Sequence, residues 1–235
     1  MKIVLFDLDE TLVKSGCRNY ALMQICREIA KLSDKKPKEI WNRVIQIWYH
    51  EKNKSIKYDW DSHIKKLCSQ LKIKKRFNYE KVIKSNLHKA KLFPDSRPIL
   101  AYLKSRNYCI CIITNGLKKY QLPIMKHLGL LKYISRIYSP HDGIIKPNPK
   151  IFSQKLDFKS VALYTDDQLY QGICLGKKIK TKTALIARTY KGNKKAFLKN
   201  KIKHELKEQN FRISIRQLTP DYILTDLRQL KRILK

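Results

Sequence analysis

Glycine and proline are scarce in this sequence, with 7 glycines and 8 prolines among 235 residues. This scarcity excludes a collagen-like or low-complexity chain. No apolar run approaches the ~18 residues that a membrane-spanning helix needs. The N-terminal residues MKIVLFDLDE already contain Asp7 and Asp9, and they therefore do not resemble a secretory signal peptide. These absences predict a soluble, cytoplasmic protein without a membrane partner.

The cysteines form no C-x-x-C motif, and the histidines show no spacing that is typical of metal ligands. Cys109 and Cys111 alternate within an apolar run that is typical of a strand, so both side chains should lie on one face. Buried, reduced thiols are therefore expected rather than disulfides or metal ligands. We assign no role to the histidines.

Acidic residues are few, because 19 Asp and Glu stand against 52 Lys and Arg, and the net charge is +33. One explanation is a polyanionic partner such as nucleic acid, since clustered cations release counterions from phosphates. The other explanation is a general enrichment of lysine in the source proteome. The excess extends over the whole chain, with only a mild concentration near the C-terminus, which favours the second explanation.

The segment Arg188–Gln217 is strongly basic and contains Ala196, Leu198, Ile202 and Leu206 at helical spacing. This spacing predicts a helix that packs one face on the core and exposes its lysines to solvent. Aromatic residues that could stack on bases are sparse here, so a nucleic-acid partner is the less favoured alternative. The lysines predicted to be exposed are Lys194, Lys195, Lys199, Lys201, Lys203 and Lys207.

The segment 14–92 contains no convincing strand but several amphipathic helical windows. In the second window, Ile40, Val44, Ile47 and Trp48 recur at helical spacing and form one apolar stripe. Together the windows predict a small four-helix bundle that is inserted as a separate module. They are Tyr20–Lys31, Pro37–His50, Trp60–Leu71 and Tyr79–Lys91.

Short apolar strands that alternate with helices are predicted for the rest of the chain. This alternation predicts an α/β fold with a Rossmann-like, doubly wound parallel sheet. Helices are predicted around Arg97–Arg106 and Tyr120–His127, with another beginning at Pro149. The predicted strands are Ile3–Leu8, Cys109–Thr114, Arg136–Ser139, Val161–Thr165, Ala184–Ala187 and Tyr222–Leu224. The predicted domains are a core of residues 1–13 and 93–235 and a helical module of residues 14–92.

Polar and charged residues follow several of these strands at the point where each strand ends. In an open parallel sheet, functional groups gather at the carboxyl ends of the strands. An Asp after a single strand is commonly a helix cap or a turn residue, but several such residues at one edge indicate a site. The candidates are Asp7, Asp9, Thr114, Asn115, Lys146, Asp166 and Asp167.

The segments that carry these residues resemble the motifs of the haloacid dehalogenase-like hydrolase superfamily. LFDLDETL resembles the first motif, D-x-D-x-T, and CIITNG resembles the second, in which a Thr or Ser ends a strand. Lys146 in IKPNPKIF matches the lysine of the third motif, and YTDD resembles the acidic fourth motif. The resemblance implies a phosphatase in which residues 14–92 form the helical cap.

The resemblance also implies a role for each residue. Asp7 would attack phosphorus and form an aspartyl-phosphate, and Asp9 would protonate the leaving oxygen and later activate water. Thr114 and the backbone amide of Asn115 would hold phosphate oxygens. Lys146 would neutralise charge on the nucleophile and on the phosphoryl group.

A magnesium ion follows from the same chemistry, because a carboxylate that attacks a phosphate dianion must overcome charge repulsion. The resemblance assigns the ion to the side chain of Asp7, the backbone carbonyl of Asp9 and the side chain of Asp166. Asp167 would orient metal-bound water, or it would cap a helix. The expected cofactor is therefore Mg²⁺.

Two positions depart from the family's pattern, since Thr165 stands where Gly is frequent and Gln171 where many members have a further Asp. Asp9 distinguishes two chemistries, because members that cleave carbon–halogen bonds lack this acid. The sequence therefore predicts a Mg²⁺-dependent phosphatase that acts on a small phosphomonoester. The alternatives are a phosphatase for nucleotides or nucleic-acid ends, and a nucleic-acid-binding protein on the same scaffold.

Overall fold

The computed structural model describes residues 1–54, 56–143, 145–149, 156–209 and 213–234. Within these ranges, two short strands, β2 and β3, pair with each other, and the other strands form one parallel sheet in the order β5-β4-β1-β6-β7-β8. The strands are β1 (Ile3–Phe6), β2 (Val13–Lys14), β3 (Lys91–Leu92), β4 (Cys109–Ile113), β5 (Arg136–Tyr138), β6 (Val161–Asp166), β7 (Thr183–Ile186) and β8 (Tyr222–Leu224).

Strand β1 lies inside the sheet and pairs in parallel with β4 on one side and β6 on the other. From β1 the chain adds β4 and β5 in one direction, and it later adds β6, β7 and β8 in the other. The direction of winding therefore reverses beside β1. In open parallel sheets, this reversal opens a crevice for ligands at the carboxyl ends of the strands.

The sheet forms because its strands are short apolar runs that are buried on both faces, as is usual in parallel sheets. Val4, Leu5 and Phe6 of β1 are completely buried. The predicted Rossmann-like, doubly wound parallel sheet is therefore confirmed. The predicted extent of the first strand is wrong by two residues. Only the Asp7 amide continues the pairing beyond Phe6, and the carbonyl of Leu8 already accepts hydrogen bonds from the amides of Leu12 and Val13 in the turn that follows.

The cysteines are all free thiols. Cys109 and Cys111 lie on one face of β4, with their Sγ atoms 3.7 Å apart. Cys111 is buried, and burial, together with the neighbouring thiol of Cys109, raises its pKa to about 12. Such a thiol stays protonated at neutral pH and packs as a small apolar side chain.

Helices flank the sheet and fill the segment between β2 and β3. The fourth predicted window ends at Ser85 instead of Lys91, and a single 3₁₀ turn, Leu87–Lys89, follows it. The helix predicted from Pro149 falls on residues 150–155, which lie outside the described residues. Among the helices that the structure describes, none is both long and apolar enough to cross a membrane. The helices are α1 (Gly16–Ala30), α2 (Pro37–His50), α3 (Trp60–Gln70), α4 (Tyr79–Ser85), α5 (Ser96–Ser105), α6 (Lys118–His127), α7 (Cys174–Lys178), α8 (Lys194–Gln209), α9 (Ile215–Leu218) and α10 (Leu230–Ile233).

The chain divides into two compact units. The first contains residues 1–13, 92–114 and 130–235, and the second contains residues 14–91 and 115–129. The domain boundaries drawn from the sequence stay a prediction, and the units differ from them mainly at 115–129, besides residue 92. The difference arises because α6 packs on the helices of the second unit, α4 in particular.

A network of charged and phenolic groups holds α6 within the second unit. The Tyr120 hydroxyl donates to Asp59 Oδ1 at 2.6 Å and lies 2.9 Å from Asp61 Oδ2. Lys119 Nζ donates to the same two carboxylates at 2.8 and 3.0 Å. Burial and the hydrogen bond to Asp59 raise the pKa of Tyr120, so the phenol stays protonated and remains a donor.

We expect Tyr120→Phe to lower the free energy of unfolding by about 2 kcal/mol, because the substitution removes a donor from two partly buried carboxylates. Tyr20→Phe is the matched control: Tyr20 is 40% exposed, and we expect less than about 0.5 kcal/mol of change. Urea unfolding of the two variants measures both values. Equal stability of Tyr120→Phe and the control would show that the Tyr120 hydroxyl contributes nothing to the free energy of unfolding.

Helix α8 forms in the basic segment, as predicted. Ile202 is buried, and Leu198 and Leu206 are half-buried against an apolar cluster between α8 and the sheet. The expectation for Ala196 is wrong, because it is exposed, and Phe197 packs on the cluster instead. The apolar face is therefore rotated from the one that the sequence pattern indicated.

The basic residues of this segment are not all solvated. Lys201 is half-buried and pairs with Glu205 at 3.3 Å, contrary to its predicted exposure. The Arg188 guanidinium donates to the buried Asp95 at 2.5 Å and to the carbonyl of Thr11 at 2.7 Å. Lys194, Lys195, Lys199 and Lys203 are exposed as predicted, and the Lys207 side chain lies outside the described part of the chain.

Candidate active site

Strands β1 and β6 place two acidic residues side by side. Asp7 directly follows β1, and its amide donates to the carbonyl of Thr165 in β6 at 2.9 Å. This bond continues the pairing of the two strands by one residue. Asp166 ends β6, and it is completely buried. Thr165, which departs from the family's pattern, contributes this backbone carbonyl and is itself buried.

Lys146 joins these two carboxylates. Its Nζ donates to Asp7 Oδ1 at 2.7 Å and to Asp166 Oδ2 at 2.8 Å. The Lys146 residue is only 5% exposed. Burial by itself lowers the pKa of a lysine, but the charges of Asp166 and Asp7 raise the pKa of Lys146 well above its ordinary value. The ammonium group is therefore charged.

Three carboxylates come together at this edge of the sheet. One oxygen of each of Asp7, Asp166 and Asp167 lies within 4.8 Å of the other two. Burial raises the pKa of Asp7, and Asp166 and Asp9 add to the rise while Lys146 opposes it. Burial also raises the pKa of Asp167, again with help from Asp166 and Asp7. The all-oxygen donor set fits a hard divalent cation such as Mg²⁺, whose charge would favour the ionised carboxylates.

Two further residues hold Asp166, and the sequence analysis missed both. The Tyr164 hydroxyl donates to Asp166 Oδ2 at 2.6 Å, from a position two residues earlier on the same face of β6. A side chain at Gly172 would start 2.0 Å from Asp166 Cγ, so only glycine fits there. Side chains two residues apart on a strand share one face, and this could have indicated Tyr164. The close approach of Gly172 to Asp166 depends on the tertiary structure and has no such signal in the sequence.

Asp9 takes a different place from Asp7. It follows in a turn in which the amide of Glu10 donates to the carbonyl of Val13, and it is half-buried. Among the described residues, its carboxylate does not belong to the group of three that could hold a metal. Its roles as an acid–base group and as a metal ligand through its backbone carbonyl stay predictions.

Thr114 and Asn115 follow β4, and both are buried. The Thr114 amide donates to the carbonyl of Tyr138 in the neighbouring strand β5 at 3.0 Å. The side-chain amide of Asn115 donates to the hydroxyl of Tyr58 at 2.9 Å, within the second unit. This bond involves the side chain of Asn115 and not its backbone amide. The binding of phosphate oxygens by that backbone amide and by Thr114 stays a prediction.

The fold and the site together define an α/β protein with an acidic centre at the switch point of a parallel sheet. A family model described as haloacid dehalogenase-like hydrolase matches residues 4–186. The chain therefore belongs to the haloacid dehalogenase-like hydrolase family. No curated protein matches the chain.

Several solved structures share the fold over 100% of this chain and 98% of their own. A HAD phosphatase from Thermococcus onnurineus is 22% identical, with a TM-score of 0.74. A 2-haloacid dehalogenase from Pseudomonas syringae pv. Tomato DC3000 is 20% identical, with a TM-score of 0.67. The HAD-hydrolase YfnB from Bacillus subtilis, described as bound to magnesium, is 15% identical, with a TM-score of 0.67. These similarities show the fold and do not distinguish a phosphatase from a dehalogenase.

Proposed function

We propose that the protein is a Mg²⁺-dependent phosphatase that hydrolyses a small phosphomonoester through an aspartyl-phosphate. The observation that supports this most is the position of Asp7, whose carboxylate lies next to Lys146, Asp166 and Asp167 at the end of β1. Asp9 supports phosphate over halide chemistry, because an alkoxide leaving group needs a proton and a halide does not.

The reaction proceeds in two displacements at phosphorus. In the first, Asp7 forms a bond to phosphorus while the bond to the leaving oxygen breaks, and that oxygen takes a proton from Asp9. In the second, Asp9 removes a proton from water, which attacks the aspartyl-phosphate and releases phosphate and free Asp7. Thr114, the amide of Asn115 and Lys146 stabilise the charge on the phosphoryl oxygens.

Asp7, Asp166 and the backbone carbonyl of Asp9 would hold the magnesium ion, and Asp167 would orient its water. When bound, Mg²⁺ neutralises charge on the phosphoryl group and on the attacking carboxylate. This fits the cluster of Asp7, Asp166 and Asp167, because burial and the neighbouring carboxylates raise the pKa of Asp7 and Asp167. A bound divalent cation would favour the ionised forms of these groups.

The test is a screen of phosphomonoesters and of 2-haloacids, each with Mg²⁺ and after treatment with EDTA. We expect phosphate release that EDTA stops and Mg²⁺ restores, and we expect Asp166→Ala to require at least about tenfold more Mg²⁺. Asp34→Ala, which changes an exposed carboxylate of the second unit, is the control and should match the wild type. Halide release without phosphate release, or phosphate release indifferent to EDTA, would contradict the proposal.

A small substrate is preferred here over nucleotides or nucleic-acid ends. The basic helix α8 does not present a uniform cationic surface, because Lys201 is half-buried beside Glu205. The contacts that the structure describes for this helix do not point to a polyanionic ligand. A nucleic-acid partner stays the less favoured alternative, and the cytoplasmic location stays a prediction from the sequence.

A further inference from the structure

Helix α8 contributes a carboxylate to residues 166–173, which carry the acidic motif and are called the acidic loop below. Glu205 Oε1 accepts a hydrogen bond from the amide of Leu169 at 3.0 Å, and Glu205 Oε2 accepts one from the amide of Tyr170 at 2.7 Å. These two residues begin the π-helical turn Leu169–Ile173, which starts directly after Asp166, Asp167 and Gln168. Glu205 therefore binds the backbone only two residues beyond Asp167.

This contact replaces a local helix cap. The first amides of a helix have no acceptor within the helix and need one from elsewhere. Gln168, which occupies the capping position, makes no side-chain cap. The acceptor comes instead from Glu205, 35 and 36 residues further along the chain. A carboxylate at this end of a helix is also favoured by the helix dipole.

The carboxylate is firmly placed. Its side chain is 13% exposed and pairs with Lys201 one turn earlier on α8. Ile202, on the same helix, is buried against Leu169 and Ile173 of the turn that Glu205 caps. Helix α8 and the acidic loop therefore pack as one piece, and the loop cannot shift without breaking both the hydrogen bonds and the apolar contact.

The loop in turn determines where the metal-site carboxylates lie. The amide of Gln168 donates to Asp166 Oδ1 at 2.9 Å, and Gly172 lets the turn approach Asp166 closely. A displacement of the turn would move the Gln168 amide and would remove the hydrogen bond that orients Oδ1 of Asp166, while Lys146 and Tyr164 would still hold Oδ2. Asp167 lies between these anchored residues and would move with them.

We propose that Glu205 is a positioning residue for the acidic loop, and that it holds Asp166 and Asp167 in place for a divalent cation. The inference rests on the proposed metal site, and it assigns a role in metal binding to the segment between β7 and β8. Glu205 does not touch the reacting atoms. It acts through the backbone of Leu169 and Tyr170.

The test measures metal binding directly, with Mn²⁺ as the probe and electron paramagnetic resonance to count free ion. We expect Glu205→Ala to raise the Mn²⁺ dissociation constant and the half-saturating Mg²⁺ concentration by about tenfold. At saturating Mg²⁺, kcat and the KM for substrate should stay within about twofold of the wild type, because substrate contacts are unchanged. Glu205→Gln keeps one acceptor oxygen for two amide donors and should fall between the wild type and Glu205→Ala.

Lys199→Ala, an exposed change on the same helix, is the control and should bind Mn²⁺ like the wild type. Wild-type affinity in a folded Glu205→Ala would overturn the positioning role, even if its melting temperature were lower. If Glu205→Ala does not fold, Glu205→Gln decides in the same way. Mn²⁺ binding that is equally strong in Asp166→Ala would instead overturn the proposed metal site, so the two failures are distinguishable.

Discussion

Replacing Asp7 with Asn is expected to abolish phosphate release while the protein stays folded. The amide keeps the volume of the side chain and removes the nucleophile, so kcat should fall by at least about 10⁴-fold, as it does when other enzymes lose a nucleophile. Stability should not suffer, because the substitution removes one of three carboxylates that repel each other in a buried site. Single-turnover phosphate release and thermal unfolding measure the two effects.

Asp142→Asn is a suitable control, since Asp142 lies in the same unit and accepts a hydrogen bond from the amide of Ser139 in a local turn. We expect this variant to keep its turnover. If Asp7→Asn retained more than about 1% of the wild-type rate at saturating Mg²⁺, the aspartyl-phosphate mechanism would be wrong. Halide release must be followed beside phosphate release, because a carbon–halogen hydrolase would also need Asp7.

The sheet and its acidic edge could be predicted because both depend on short-range patterns. Runs such as the one from Ile3 to Phe6 are apolar at every position, which indicates a strand that is buried on both faces. The residues that end these strands then fall at one edge of the sheet by topology alone. Asp7 and Asp166 could therefore be placed together before their 2.7 and 2.8 Å contacts with Lys146 were known.

The residues that hold this edge in place could not be predicted in the same way. Gly172 matters because the backbone of its turn lies close to Asp166, and that distance depends on how the turn packs on β6. Glu205 lies on a helix whose lysine-rich sequence indicated a solvated surface. Only the contact with Leu169 and Tyr170 shows that one face of this helix supports the site.

Arg188 illustrates the same limit for a charged residue. The sequence identified it only as the start of a basic segment, yet its guanidinium lies against the ring of Phe93 and pairs with the buried Asp95. It also binds the carbonyl of Thr11, which belongs to the loop after Asp7. A long-range pair of this kind leaves no periodic signal, because its two partners are 93 residues apart.

Lys146 is the cation on which the charge balance of the site depends. The pKa of Asp7 is raised from 3.8 to about 7, mainly by burial, although Lys146 opposes the rise. The folded protein therefore binds more protons than the unfolded chain between these pH values, and the free energy of unfolding falls as the pH rises. Removing Lys146 would raise the pKa of Asp7 further and extend this loss to higher pH.

We therefore expect Lys146→Met to lower kcat/KM by about 10³-fold, because the phosphoryl oxygens lose a buried cation while the apolar chain keeps its packing. In the metal-free protein, the melting temperature of Lys146→Met should fall below that of the wild type, with a larger gap at pH 8 than at pH 5. Lys178→Met is the matched control. Lys178 is exposed, and its ammonium group donates at 3.2 Å to the carbonyl of Pro147 and not to a carboxylate of the site. Steady-state kinetics and thermal unfolding at the two pH values check both effects. A gap in melting temperature that is the same at both pH values would show that Lys146 supports packing alone and not the charge of Asp7.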